Sequence, residues 1–184
     1  MTFKSRGVVD KVWLGWFILQ IIVTPLIDGL PFYPKWLYAT PDSPLYFLQR
    51  IHELYVTTYR DLIVTEWHSP VPVRPWVRLC TYIEMAFQLP TSLYAVLRLR
   101  KGRGTSGGDE LLLLVYAFNV FFSTLLCAHD VYHWDEKLYT MAEKHFIVGG
   151  IYGSWMLIPF AMFVDMYLRL YGRVSTSDIA KKTK

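Results

Sequence analysis

Residues 83–90, IEMAFQLP, set a glutamate and a glutamine four positions apart inside the apolar run TYIEMAFQLPTSLYAVL at 81–97. On a surface helix of a soluble domain, Glu84 and Gln88 would be the wet face and nothing more would follow. The composition on either side excludes that. The 184 residues are 53% hydrophobic and 17% aromatic with only 18% charged, short for two soluble domains and too apolar for an ordinary single one. A spanning helix needs about 20 mainly apolar residues, and four segments come close: about 12–31, 77–99, 111–128 and 146–168. The predicted fold is therefore all-α, a polytopic membrane protein whose four-transmembrane-helix bundle forms a single domain over 1–184. The first segment lacks a short apolar core followed by a small-residue cleavage site, so it reads as a retained helix.

Lysine and arginine placement orients the bundle, because short basic flanks stay in the cytosol. Lys4, Arg6 and Lys11 precede the first span; Arg98, Arg100, Lys101 and Arg103 crowd the link before the third; Arg169, Arg173, Lys181, Lys182 and Lys184 follow the last. Amino and carboxyl termini are thus predicted to be cytosolic, with a lumenal connection over 32–76 and a cytosolic tail over 169–184. The link between the third and fourth spans sets Lys137 and Lys144 against Asp130, Asp135, Glu136 and Glu143, which places it on the opposite face. The formal net charge of +4 resides largely in the flanks, so it points to anionic lipid headgroups and gives no reason to invoke nucleic acid. The terminal KKTK resembles the dilysine signal, here Lys181 and Lys182, that coat proteins read to return proteins to the endoplasmic reticulum. A solvated basic tail is the alternative. Cys80 and Cys127 fall toward the lumenal ends of their spans, where two unbridged thiols are the simpler expectation.

The first connection carries TPDSPLYFLQRIHELYVTTYRDLIV at 40–64, which reads as one amphipathic helix. Asp42 or Ser43 is placed to cap it, Pro44 suits its first turn, and Leu45, Leu48, Leu54 and Tyr55 recur at helical spacing. The following HSPVPVRP, 68–75, is too proline-rich for helix and reads as a stiff link.

A carboxylate at the bilayer centre costs about 2.5–3.5 kcal/mol even on lenient scales, so such groups normally face the bundle interior. Gln20, Thr24 and Asp28 fall at i, i+4 and i+8, one stripe of the first helix, and Glu84 and Gln88 repeat that spacing in the second. At about 1.5 Å per residue, Asp28 and Glu84 share a depth in the lumenal half. Asn119 sits near mid-membrane, and Tyr152 and Trp155 enter the lumenal half from the fourth span. Together these residues predict one polar-floored, aromatic-walled cavity. A simpler role exists for Gln20, Gln88 and Asn119 as interhelical hydrogen-bonders worth about 0.6–2 kcal/mol each. Trp155 likewise has two readings, core packing or a face offered to a cation. Asp28 and Glu84 have no lysine or arginine at their depth, a situation that invites proton sharing or a cationic ligand.

Pro25, Pro90 and Pro159 interrupt three of the spans and free carbonyls that need new partners. Asp165 precedes Arg169 by one turn and is read as half of an interfacial ion pair. His129 and His133 have a spacing that holds a metal only with a third ligand at a defined position, which is missing, so no metal is predicted. With no glycine-rich phosphate loop, no CxxC and no recognisable Ser-His-Asp motif, no cofactor is predicted either.

Four separated motifs carry a family resemblance: LIDG at 26–29, YRDLIV at 59–64, IEMAFQLP at 83–90 ahead of a basic span end, and IYGSWMLIPF at 151–160. From about Trp13 to Arg169 the chain resembles the EXPERA family, which contains the sigma-2 receptor and the emopamil-binding sterol isomerases. The resemblance implies a four-helix bundle with a cavity opening toward the membrane. It makes Asp28 and Glu84 the acids of a pocket for sterols and cationic amphiphiles, with Gln88 beside Glu84 and Asp61 as a further, supporting acid. Trp155 falls where the isomerases also have a tryptophan. Isomerisation of a sterol double bond needs an acid, an aromatic face for the cation and a base, roles that Glu84, Trp155 and Asp28 fill in outline. Two departures weigh against it. Thr24 stands where the isomerases have a histidine, and Tyr152 where they have an asparagine; a threonine cannot shuttle a proton near neutral pH.

The leading expectation is accordingly a non-enzymatic protein of the endoplasmic reticulum membrane that binds sterols or other lipophilic small molecules among the membrane lipids. A sterol double-bond isomerase is the second. The third, implied by fungal-type family members, is an interaction protein in membrane-protein quality control or the handling of mitochondrial precursors. A symmetric homodimer through an aromatic face is compatible with a bundle this small.

Overall fold

A computed structural model describes residues 7–67, 72–102 and 104–182, with side chains described through Thr176. Among these residues all regular structure is helical and no strand forms. In chain order the elements are α1 (Gly7–Leu26), two 3₁₀ turns (Leu30–Phe32 and Lys35–Leu37), α2 (Tyr46–Tyr59), α3 (Leu62–Glu66), α4 (Pro75–Ile83), a π-helical stretch (Glu84–Gln88), α5 (Leu89–Leu99), α6 (Gly107–Val131), α7 (Met141–Phe146), a second π-helical stretch (Ile147–Tyr152) and α8 (Gly153–Lys182). Lys4, Arg6, Arg103, the segment 68–71 of the proline-rich link, and the side chains of Lys181, Lys182 and Lys184 lie outside the described residues.

Among the described residues, three helices are long and apolar enough to cross a membrane: Gly7–Leu26, Gly107–Val131 and Met141–Thr176. The remaining expected span, 77–99, is helical over its whole length but is not one of these three. The physical reason is its polar load, since Arg78, Glu84 and Arg98 all lie on it and Thr81, Gln88, Thr91 and Ser92 are buried on it. The distribution of side chains is that of a membrane protein. Gln20, Thr24, Gln88, Asp109 and Glu110 are buried, whereas Ile22, Leu97, Leu111, Phe118, Leu157 and Leu168 are exposed. Apolar surface on this scale is unstable in water and neutral in lipid.

The chain packs as two compact units. One comprises 18–92. Its small core is Leu30, Tyr38 and Leu48, with Leu26, Tyr33 and Leu45 packed against them. The single helix expected over 40–64 is in fact two. Leu45, not Asp42 or Ser43, occupies the cap position of α2, without a side-chain bond. Ser43 is engaged elsewhere, its Oγ accepting from the Thr40 N–H at 3.2 Å and lying 2.9 Å from Thr40 Oγ1. At the other end Arg60 turns left-handed, with φ 53°, and its N–H bonds the Val56 carbonyl. This closes α2, and Asp61 opens α3.

The other unit comprises 1–17 and 93–184, and in it α6 and α8 pack along each other. Its ends are fixed by polar chemistry. Ser106 and Asp109 form a reciprocal capping box at the start of α6, as Thr140 and Glu143 do at α7. The expected Asp165–Arg169 pair forms at 2.7 Å, and Arg169 also reaches Asp10 at 2.8 Å. Trp13 Nε1 donates to Asp165 at 2.9 Å. Arg98 pairs with Asp109 at 2.8 Å and Arg173 with Glu110 at 2.6 Å, so three of the basic flanking residues are bonded to acids. Lys144 is fully buried and donates to the carbonyls of Tyr132 (3.2 Å) and Trp134 (2.6 Å), tying down the turn after α6. Neither Cys80 nor Cys127 is in a disulfide.

Candidate functional site

The expected stripe Gln20–Thr24–Asp28 is broken by the end of its helix. α1 ends at Leu26, one residue past Pro25, so Gln20 and Thr24 are buried on the helix but Asp28 lies in the turn beyond it. The turn is closely specified. Ile27 N–H still reaches the Val23 carbonyl (2.9 Å), Gly29 N–H takes the Thr24 carbonyl (2.7 Å), and the Tyr33 hydroxyl donates to the Pro25 carbonyl (3.1 Å). The carbonyls of Val23, Thr24 and Pro25 at the helix end are thereby satisfied. Gly29 must be glycine on grounds of space, because a Cβ there would sit 2.8 Å from the Pro25 oxygen and 2.9 Å from its Cα.

Glu84 opens the π-helical stretch that Gln88 closes, and Leu89 N–H bonds back to the Glu84 carbonyl. A π stretch widens the helix by one residue and re-aims the side chains on it, which is why such stretches recur at functional sites. Thr24 Oγ1 donates to Glu84 Oε1 at 3.2 Å. Asp28 lies within electrostatic reach of Glu84 and of Asp61. Neither Asp28 nor Glu84 has a lysine or arginine partner among the described residues.

Asp61 is fully buried and well satisfied. Its Oδ1 accepts from the N–H of Ile63 at 3.0 Å, and its Oδ2 accepts from the Tyr55 hydroxyl at 2.9 Å. Burial, the Asp61 carboxylate and its hydrogen bond, and the charge of Asp28 together push the Tyr55 phenol well above its usual range, which keeps it an O–H donor. Asp61 therefore supports from behind, as a helix cap that also holds Tyr55.

A cavity of about 40 Å³ opens beside Asp28, lined among others by His52, Thr81 and Trp67. That volume holds a water or a small head group; drug-sized ligand pockets run to about 300–1,000 Å³. His52 and Tyr55 are the residues that sequence reasoning missed. Both come from α2, whose inward face reads as an ordinary amphipathic stripe; the usable signal was a histidine on that stripe three positions before Tyr55.

The other expected residues belong to the second unit. Trp155 meets Trp16 edge-on, ring centroids 5.6 Å apart at 63°. Tyr152 ends the second π-helical stretch, and Asn119 is half-buried on α6. His129 and His133 stack at 4.5 Å, and no group of three metal-binding side chains forms among the described residues.

Acids gathered in a chain whose long helices expose apolar faces define a class, the membrane protein with a polar site. The family model described as EXPERA (EXPanded EBP superfamily) matches residues 47–166, and the chain belongs to this family. That match covers Asp61, Glu84, Gln88, Asn119, Tyr152 and Trp155, and leaves Gln20, Thr24 and Asp28 outside it. Among curated proteins, efficient mitochondria targeting-associated protein 19 of Schizosaccharomyces pombe is 27% identical over 169 residues, 90% of this chain and 79% of that protein. No solved structure matches the chain.

Proposed function

We propose that this protein is a non-enzymatic receptor for cationic amphiphiles, and secondarily for sterols, within the membrane. One observation carries the reading: Asp28 lies within electrostatic reach of both Glu84 and Asp61, and a threonine and no lysine or arginine is bonded to Glu84. Like charges crowded in low dielectric are relieved by a cation, and an alkylammonium supplies one on an apolar tail that belongs in lipid. The cavity beside Asp28 suits the ammonium end, and a sterol body enters only if the cavity opens. Thr24 spends its hydroxyl on Glu84, which supports binding over proton shuttling. The same proposal takes four spans, cytosolic termini and residence in the endoplasmic reticulum; loss of that residence in the K181S/K182S variant supports it. The test of the site is E84Q in detergent-solubilised protein. Affinity for a lipophilic amine is expected to fall at least about tenfold, the loss of one charge-assisted contact, while affinity for a neutral sterol changes little. Equal amine affinity in E84Q and wild type overturns the site.

A second reading rests on the name of the fungal relative, which associates that protein with efficient mitochondrial targeting. Here the working surface is the connections and tail. Replacing the exposed turn at 135–138 then impairs targeting of mitochondrial precursors while E84Q does not, and the opposite pattern excludes it.

A further inference from the structure

A second feature of the 18–92 unit shares no lining residue with the cavity at Asp28. A groove of about 490 Å³ is lined by Pro72, Val73, Arg74, Pro75, Arg78, Leu79 and Tyr82. Residues 75, 78, 79 and 82 recur at i, i+3, i+4 and i+7, so one stripe of α4 forms its floor. The stripe is graded. Arg74 caps the helix just before it and Arg78 lies in its first turn; Leu79 and Tyr82 follow, exposed at 58% and 48%. Tyr82 continues into an aromatic run, its ring 5.9 Å from Phe32, which is itself 5.8 Å from Trp67.

The two arginines differ in what they do. Arg74 is fixed, its guanidinium ion-paired with Glu66 at 2.5 Å, its backbone N–H donating to Glu66 Oε2 at 3.3 Å, and it lies 5.2 Å over the Trp76 ring. Arg78 is exposed, and its guanidinium has no hydrogen bond or ion pair among the described residues. Arg74, Arg78 and Glu66 leave the mouth with one net positive charge. Proline on both sides of Arg74 stiffens the rim, so the groove is preorganised.

The geometry points to a phospholipid site: the phosphate on Arg78 at the rim, the acyl chains along Leu79, Tyr82 and Phe32. A planar guanidinium with free donors matches a phosphate, and the apolar floor below it matches what a phospholipid carries next. A soluble phosphate uses only the rim. A protein partner would have to displace lipid from Leu79 and Tyr82, on a helical run whose exposed side chains from Leu79 to Leu97 carry no charge.

The experiment is native mass spectrometry of the full chain released from detergent and titrated with phosphatidylinositol, with a diacylglycerol of the same chains, and with soluble glycerophosphate. One phosphatidylinositol is expected to bind in preference to both others. R78A is expected to weaken it about fivefold, the effect of one arginine at an anionic lipid surface. L79S, which leaves both arginines in place, is expected to weaken it as well, and R50A, on the exposed face of α2, to leave it unchanged. Undiminished phosphatidylinositol binding in both R78A and L79S overturns the site. Equal binding of glycerophosphate reduces it to a phosphate site without lipid and overturns the proposal too. These outcomes are independent of E84Q, which is expected to bind phosphatidylinositol like wild type.

Discussion

Gly29→Ala is a demanding perturbation because the structure states what the new methyl group meets. The added Cβ would lie 2.8, 2.9 and 3.2 Å from the oxygen, Cα and carbonyl carbon of Pro25, all backbone atoms. Ordinary contact begins near 3.4 Å, so one side must move by about 0.6 Å. Neither is at liberty to do so. The Pro25 carbonyl is held by Tyr33, and the Gly29 N–H by the Thr24 carbonyl. Overpacking of this kind costs about 1–3 kcal/mol, and straining the Gly29–Thr24 bond adds up to about 1. For a chain of this length that is a fall in Tm of about 2–16 °C. The same substitution at Gly15, earlier on α1, meets nothing within 4 Å. There alanine is the better helix former by about 1 kcal/mol, and Tm should rise slightly. Thermal unfolding of both variants in one detergent checks the pair. Shifts of the same sign and size would refute the reading of the α1 end, and with it the placement of Asp28.

Tyr55→Phe and Asp61→Asn should each lower Tm, and the double variant should fall short of their sum by about 0.5–1.5 kcal/mol, since both remove one 2.9 Å bond; strict additivity in a double-mutant cycle contradicts the supporting role given to Asp61. Arg169→Ala leaves Asp10 and Asp165 facing each other with little solvent, and should cost about 3–5 kcal/mol of stability, read by the same unfolding assay. A loss under about 1 kcal/mol marks that cluster as hydrated. Deleting Ala86 from the π-helical stretch should leave a continuous α-helix with its flanks in register, so the protein should remain folded by circular dichroism while amine binding falls more than about tenfold through the re-aimed Glu84. Retained binding shows that the stretch does not position the acid.

The apolar helices were legible in the sequence because lipid imposes a length and a composition together, and α1, α6 and the 141–176 run meet both. The Asp165–Arg169 pair was legible for the same kind of reason, a fixed spacing on one helix. What sequence could not supply were the departures from regular helix. Counting in fours carried Asp28 onto α1, but the contact between Gly29 and the backbone of Pro25 ends the helix first. Arg60 gives no compositional warning that it turns left-handed, and so the 40–64 run was read through its break. The π-helical stretch at Glu84 has no residue signature either. The supporting side chains, His52 and Tyr55, are brought to Asp28 and Asp61 by the turn of the chain at Arg60, and only the folded unit puts them there.

The central claim is that Asp28 and Glu84 act on one cation. Amine affinity measured for wild type, D28N, E84Q and the double variant, by titration calorimetry in detergent, tests it most directly. If the acids share the ammonium, each single change weakens binding at least about tenfold and the double change adds little more, a coupling of about 0.5–3 kcal/mol. Independent, fully additive losses, or affinity unmoved by either change, contradict it.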